Sequence, residues 1–384
     1  MLYVIKSGRN PEFALAEVTS KQTCTVLDSN RGYLLCDAQT PINFNVCGSV
    51  PMAFTVIDKF RDNDFDSFIN CITSNTNEIK RYFLDSNYLT PKQIQLISTS
   101  LKKKFKGRTS SKVSFFNVKN TASVFNEVKK SDTTTGFGIF RLDRNYYICK
   151  FEFVQNLDSY TLRDFHKPFR DAKLGMLPPK LAQTMIGLLP KKTIHTIYDP
   201  FCGTGTVCFE SVLAGYNSWG SDILESNIDG SNLNLEFFIE KFSANKSLFN
   251  YFQADATTLK KLPENFAIVT EGYLGKPKKG NESKTELAMD FKSVVSIYNN
   301  FFLNLHKIAF KKKFFVVISV PEFKYLASTK NPEKIFANLR NYGYIFRTVV
   351  PSNRLGIDSS RVLHYSREDQ FVSRNIICLE HIPG

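Results

Sequence analysis

A chain of 384 residues, 42% hydrophobic and 22% charged, is long enough for two or three domains with real cores and too apolar to be a disordered chain. The opening MLYVIKSGR lacks the long apolar run of a secretory leader, and FFVVISV (314–320) is too short to cross a bilayer, so a soluble cytoplasmic protein without a membrane partner is expected. The formal net charge is +14 and is unevenly placed: residues 101–150 carry 12 Lys/Arg against 3 Asp/Glu, and the rest carry 38 against 33, which favours a polyanionic partner such as nucleic acid.

In chain order, MLYVIKSG reads as a strand, PEFALAEVTS (11–20) as a helix, and CTVLDS and GYLLCDA as a hairpin around Asn30-Arg31-Gly32, followed by the strand AFTVIDKF (53–60). This order suggests a small α+β unit of ferredoxin-like type, assigned to residues 1–58. A second module, 59–155, contains the helix TPKQIQLISTSLKKKFKG (90–107), with Thr90 as N-cap and Gly107 as stop, and the strands KVSFFNV, FGIFRL and YYICKFEFV. Lys102, Lys103, Lys104, Lys106, Arg108 and Lys112 cluster there, and together with Arg163, Lys167, Arg170 and Lys173 of the segment that follows they are expected to contact RNA. Residues 156–178 mix Arg163, Lys167, Arg170 and Lys173 with aromatics and prolines and read as a linker or extended arm. A short proline-bounded helix follows at 178–190. From 193 onward strands and helices alternate, the pattern of a parallel α/β sheet, giving a domain over 179–384 that closes with a strand pair.

The eight cysteines are scattered, none in C-x-x-C, and no Cys/His cluster has zinc spacing, so reduced buried thiols are expected and no metal. Cys202 alone lies in a chemically suggestive stretch, IYDPFCGTGTVCFES (197–211). There a strand ends at Asp199 and a glycine turn, Gly203 to Thr206, opens a helix. Glycines let backbone approach a ligand, and a helix N-terminus supplies N–H donors. Asp222 ends the next strand, placed to accept two ribose hydroxyls. The loop lacks the complete GxGxxG pattern and the Walker lysine, so NAD and ATP fit less well.

DPFCGTGT, GSDI and QADAT (253–257) resemble the cofactor site of class I amino-methyltransferases. With the MLYVIKSGRNPEFALAEV start, RDFHKPFRDAKLGMLPPKLAQTMIGLL and VLHYSREDQFVSRNI, the chain resembles the THUMP-domain tRNA guanosine-N2 methyltransferases. That resemblance implies a Rossmann-like C-terminal domain, S-adenosyl-L-methionine as cofactor and tRNA as substrate, with a position-10 type guanosine N2 amine as target. It implies that Asp199 holds the methionine amine and that Pro200, Phe201, Cys202, Gly203, Thr204, Gly205 and Thr206 wrap the cofactor. Asp222 and Ile223 would then flank the ribose, and Asp255 and Ala256 the adenine. It implies a THUMP module gripping tRNA, and some relatives use a small activator subunit.

The fourth motif, IVTEGYLGKP (268–277), is expected to hold the catalytic residues Glu271, Gly272 and Tyr273. Family members usually carry Asp-Pro-Pro-Tyr there, where oxygens accept the N–H bonds of an exocyclic amine and the aromatic ring stacks on the base. Thr270, Glu271 and Gly272 replace the first three residues. A non-catalytic RNA-binding protein and a DNA amino-methyltransferase are the competing readings. A cytosine-C5 mechanism lacks its Pro-Cys nucleophile.

Overall fold

The computed structural model describes all residues except 21–23, 77–78, 109–111, 171–175, 191–193, 279, 352–358 and 369. Two compact units are present, Met1–Ser159 and, among the described residues, Tyr160–Gly384.

The first unit contains β1 (Leu2–Lys6), α1 (Pro11–Ser20), β2 (Cys24–Asn30), β3 (Tyr33–Ala38), β4 (Met52–Phe60), α2 (Phe65–Ser74), β5 (Arg81–Asp85), α3 (Pro91–Lys106), β6 (Ser114–Phe115), α4 (Thr121–Lys130), β7 (Thr134–Leu142) and β8 (Asn145–Val154). All eight strands form one sheet, ordered β2-β3-β1-β4-β8-β7-β5-β6. Strand β4 crosses residue 58 and pairs with β1 on one side and β8 on the other, so the chain does not part there as the sequence suggested. The β2–β3 hairpin turns through Arg31 and Gly32 at φ 48° and 80°, the geometry that matches strand twist. Helix α3 starts as expected, with Thr90 and Gln93 forming a reciprocal capping box. Adjacent residues on β5 point to opposite faces: Tyr82 packs with Phe68, Leu101 and Phe105 of α2 and α3, and Phe83 packs with Val124 of α4. The sheet is therefore buried on both sides. The elements α2, β5 and α4 are additions to the sequence reading, although Phe65, Phe68, Ile69 and Ile72 do recur at helical spacing in α2, and KVSFFNV pairs only through Ser114–Phe115.

Residues 156–178 are not an extended arm throughout, because α5 (Leu157–Phe165) is helical. The second unit continues with α6 (Pro179–Gly187), β9 (Thr196–Asp199), α7 (Thr206–Leu213), β10 (Asn217–Asp222), α8 (Glu225–Phe242), β11 (Phe249–Gln253), β12 (Phe266–Glu271), α9 (Lys284–Ile308), β13 (Phe314–Phe323), α10 (Pro332–Ile335), β14 (Tyr344–Arg347), β15 (Val362–Tyr365) and β16 (Val372–His381). The sheet order is β11-β10-β9-β12-β13-β16-β14, with β15 also paired to β16. Strands β9 to β13 run parallel, while β14, β15 and β16 close the sheet antiparallel, so three strands stand where a closing pair was expected. Ile268, Val316, Ile318 and Ile377 pack on Tyr298, Phe301 and Phe302 of α9, the core that fixes the strand ends. The strand order reverses between β9 and β12, where parallel α/β sheets open a crevice at their carboxyl ends. Asp199 and Glu271 are the last residues of those two strands.

Candidate active site

Asp199 is buried at the end of β9. Its Oδ1 accepts from Phe201 N–H at 3.0 Å and from the Thr270 hydroxyl at 2.6 Å. Burial pushes its carboxyl up to about 7, with the charges of Asp222 and Glu271 adding to the rise and the hydrogen bonds opposing it. The loop beyond it is tied at each step. Cys202 N–H donates to Ser221 O at 2.9 Å and Gly205 N–H to Cys202 O at 2.8 Å. Gly203 N–H donates to Asp222 Oδ2 at 3.1 Å, and Ser231 Oγ to Gly203 O at 2.8 Å.

Gly205 sits at φ 78°, and a Cβ there would lie 2.8 Å from Tyr251 Oη, so no other residue fits. At Gly203 a Cβ would meet nothing nearer than 4.0 Å, leaving that side of the loop open. No side chain caps α7. An open glycine loop, an uncapped helix start and strand-end carboxylates at Asp199 and Asp222 suit a nucleoside bearing a charged amino-acid tail.

Asp222 ties the loop and also accepts from Leu224 N–H at 2.9 Å. Ile223, 60% exposed, adjoins it. Asp255 caps the turn Ala256–Thr258 through Thr257 N–H and hydroxyl at 2.8 and 2.7 Å, while Ala256 is buried in the α9 core. Pro200 is buried, and the Phe201 ring meets Phe301 edge-on at 5.3 Å. Cys202 packs with Cys208 and Ile228, and burial holds its thiol well above the ordinary range, so it is no thiolate nucleophile.

The basic segment 163–173 divides. Arg163 is buried, its Nε 2.6 Å from Glu210 and its guanidinium over Tyr160, and it does not face RNA as expected. Lys167 is also buried: its Nζ donates to the hydroxyls of Thr204 and Thr206 at 3.0 and 2.9 Å. Desolvation lowers Lys167 to about 8. Asn234 clasps the same strand of chain, bonding both backbone groups of Phe169 and Thr204 O. This segment holds the glycine loop. Arg170 is exposed, and Lys173 lies outside the described residues. In the first unit, Lys102, Lys103, Lys104, Lys106, Arg108 and Lys112 are all exposed; Lys104 reaches Asn70, and Arg108 donates to Thr73 O.

At the fourth motif, Glu271 is largely buried and its Oε1 lies 2.5 Å from Nε of Arg374 on β16. Burial raises the Glu271 carboxyl, and the guanidinium pulls it back. Gly272 N–H donates to Ser319 O at 3.3 Å. A Cβ on Gly272 would stand 2.2 Å from Tyr298 Oη, so glycine is required for close approach. The Tyr298 hydroxyl reaches Tyr273 O at 3.1 Å and Ser319 O at 3.4 Å. Asp290 then anchors the following loop through Lys276 N–H at 3.2 Å and the Lys278 ammonium. Rigidity that proline would supply comes from tertiary contacts instead. Arg374, Tyr298 and Asp290 carried no spacing signal that could have marked them, while Lys167 and Thr270 stood out in the sequence without the partners that the fold gives them. Among the described residues no group of three metal-ligating side chains occurs, and no helix is long and apolar enough to cross a membrane.

The sheet order and the glycine loop give the second unit a Rossmann-like doubly wound α/β fold. Residues 168–295 match the family described as RMKL-like, methyltransferase domain. The chain is 39% identical over 62 residues to tRNA (guanine(10)-N2)-dimethyltransferase of Pyrococcus abyssi, covering 16% of this chain and 18% of that protein. It is 34% identical over 101 residues to the enzyme of the same name from Methanothermobacter thermautotrophicus, covering 26% and 28%. The chain thus spans less than a third of the length of these relatives. The crystal structure of TrmN from Thermus thermophilus superposes over 100% of both chains, with a TM-score of 0.50 and 12% identity, a likeness of fold.

Proposed function

We propose that this protein is an S-adenosyl-L-methionine-dependent RNA methyltransferase that acts on the exocyclic N2 amine of a guanosine in tRNA. The observation that carries this reading is the glycine loop between Asp199 and Asp222, opposite the Glu271 strand end, inside a segment matching a methyltransferase family. The names of the relatives from Pyrococcus and Methanothermobacter support the choice of base and of tRNA.

When bound, the cofactor supplies an electrophilic methyl group on a sulfonium, whose C–S electron pair stays with sulfur. The chain's own residues do the rest. Asp199 receives the amino-acid ammonium, Asp222 the ribose hydroxyls, and the Asp255–Ala256 turn the adenine edge. Glu271 accepts an N–H of the target amine, which frees the nitrogen lone pair for the N–C bond, and takes up or passes on the displaced proton. The Gly272 backbone fixes the approach, and Tyr273 stacks on the extruded base. The exposed lysines of α3, with Arg108 and Lys112, grip RNA backbone as a THUMP module would, with Arg170 and Lys173 as further contacts. Cytoplasmic residence and a small activator subunit go with this reading.

Purified full-length protein incubated with the cofactor and unmodified tRNA tests it. Mass spectrometry of the digested nucleosides should show new N2-methylguanosine. Salt-dependent tRNA binding with no methylated nucleoside would instead favour the non-catalytic reading.

A further inference from the structure

The Glu271–Arg374 pair spans an intervening strand. Glu271 ends β12 opposite Ser319 of β13, and Arg374 on β16 lies opposite Pro321, two residues further along β13. Side chains at such positions share one sheet face, so Glu271, Ser319 and Arg374 project together. Tyr365 of β15 lies opposite Arg374 on that face, its ring centroid 5.9 Å from the guanidinium. Gln370 Oε1 accepts from Arg374 Nη1 at 3.1 Å. Arg374 is itself 2% exposed. Four chain segments therefore converge to aim one guanidinium at one carboxylate, a long and otherwise costly arrangement for a purely structural ion pair.

We propose that Arg374 is a positioning residue for methyl transfer, fixing Glu271 as an oriented, anionic acceptor for the target amine. The inference rests on the methyltransferase reading above. Glu271 has two oxygens. Oε1 faces Arg374 Nε, and clamping it sets the direction of Oε2. The other titratable groups that act on Glu271 or feel its charge are Asp199 from β9 and Tyr298 from α9. Neither is a cation, so Arg374 is the group that offsets burial of the carboxylate. The hydroxyl of Ser319, on the same face, is buried and makes no hydrogen bond among the described residues.

The test is the pH dependence of single-turnover methylation for wild type, Arg374→Met, Arg374→Lys and Glu271→Gln, with cofactor and tRNA affinity measured on each. Arg374→Met should lower kcat at least tenfold near pH 7, with cofactor and tRNA affinities within about twofold of wild type. Its acid limb should move up by roughly one to three pH units, the effect expected of losing an adjacent cation. Arg374→Lys should fall between, and Glu271→Gln should lose the limb. A loss in Arg374→Met that is equal at every pH overturns the proposal, as does unchanged kcat. If Arg374→Met does not fold, an unmoved limb in Arg374→Lys overturns it equally. A wild type without turnover would instead sink the methyltransferase reading itself.

Discussion

The Thr270 hydroxyl donates a 2.6 Å hydrogen bond to Oδ1 of Asp199, linking β12 to β9 at the point where the sheet order reverses. Thr270 stands where the resembled family usually carries aspartate. Neighbouring residues of a strand face opposite ways, so Thr270 turns to Asp199 and Glu271 turns to Arg374. A neutral donor beside Asp199 spares the site a second carboxylate in contact with the first. The negative charge is moved one residue on, to a place with its own cation.

Asp199 gives the first prediction. Its folded value of about 7 lies above its ordinary 3.8, so the folded protein holds a proton that the unfolded chain releases. That contribution to stability is complete below pH 3.8 and is lost as pH rises through 7. Asp199→Asn should therefore gain in melting temperature over wild type as pH rises from about 5 to 8, by ~2 °C or more at the upper end. The same variant should bind cofactor at least tenfold more weakly. Thermal melts across pH check the first claim, and a gap that does not widen refutes it.

Lys167 separates two roles for the segment before α6. Buried as a strut under Thr204 and Thr206, it holds the glycine loop proposed to take the cofactor and presents no ammonium at the surface. Lys167→Met should weaken cofactor binding by roughly tenfold, as expected for removing hydrogen bonds from a charged donor worth about 1.5 kcal/mol. The slope of tRNA affinity against salt should not change, because the ammonium of Lys167 neutralises no phosphate. Calorimetry with cofactor and filter binding with tRNA read the two effects apart.

The exposed lysines of α3 should behave in the opposite way. Replacing Lys102, Lys103 and Lys106 together by alanine should weaken tRNA binding and flatten its salt slope by about 0.7–0.9 for each phosphate the variant no longer neutralises. Cofactor affinity should stay at the wild-type level. An unaltered salt slope would remove this surface from the RNA interface.

Gly272 is tied to Tyr298. Adding a methyl group places it 2.2 Å from the phenol oxygen, so Gly272→Ala should destabilise the protein by about 1–3 kcal/mol and depress turnover. Tyr298→Phe removes that oxygen together with its hydrogen bonds to Tyr273 and Ser319. The double variant should be more stable than the sum of the two single losses requires. A double-mutant cycle with chemical denaturation measures this coupling, and strict additivity would show that the two residues do not meet.

Much of this molecule is legible in its residues. Capping at Thr90, the turn at Arg31-Gly32, the strand-to-helix passage at Asp199–Thr206 and the carboxylates ending β9, β10 and β12 all depend on near neighbours in the chain. Local propensity and period report such features directly. The basic surface of α3 is legible for the same reason, since helix spacing alone divides Leu101 and Phe105 from the lysines. Arg163 and Lys167 show where this fails. A cation beside aromatics reads as an RNA contact until a buried partner is known, and the partners, Glu210 and Thr204, lie 47 and 37 residues away. The sequence by itself determined the elements, the glycine loop and the position of the fourth motif. Only the tertiary structure decided how that motif is held: Tyr298 and Asp290 of α9, Arg374 of β16 and Asp199 of β9 reach it from three other elements, and contacts between distant segments form only when the sheet brings their ends together.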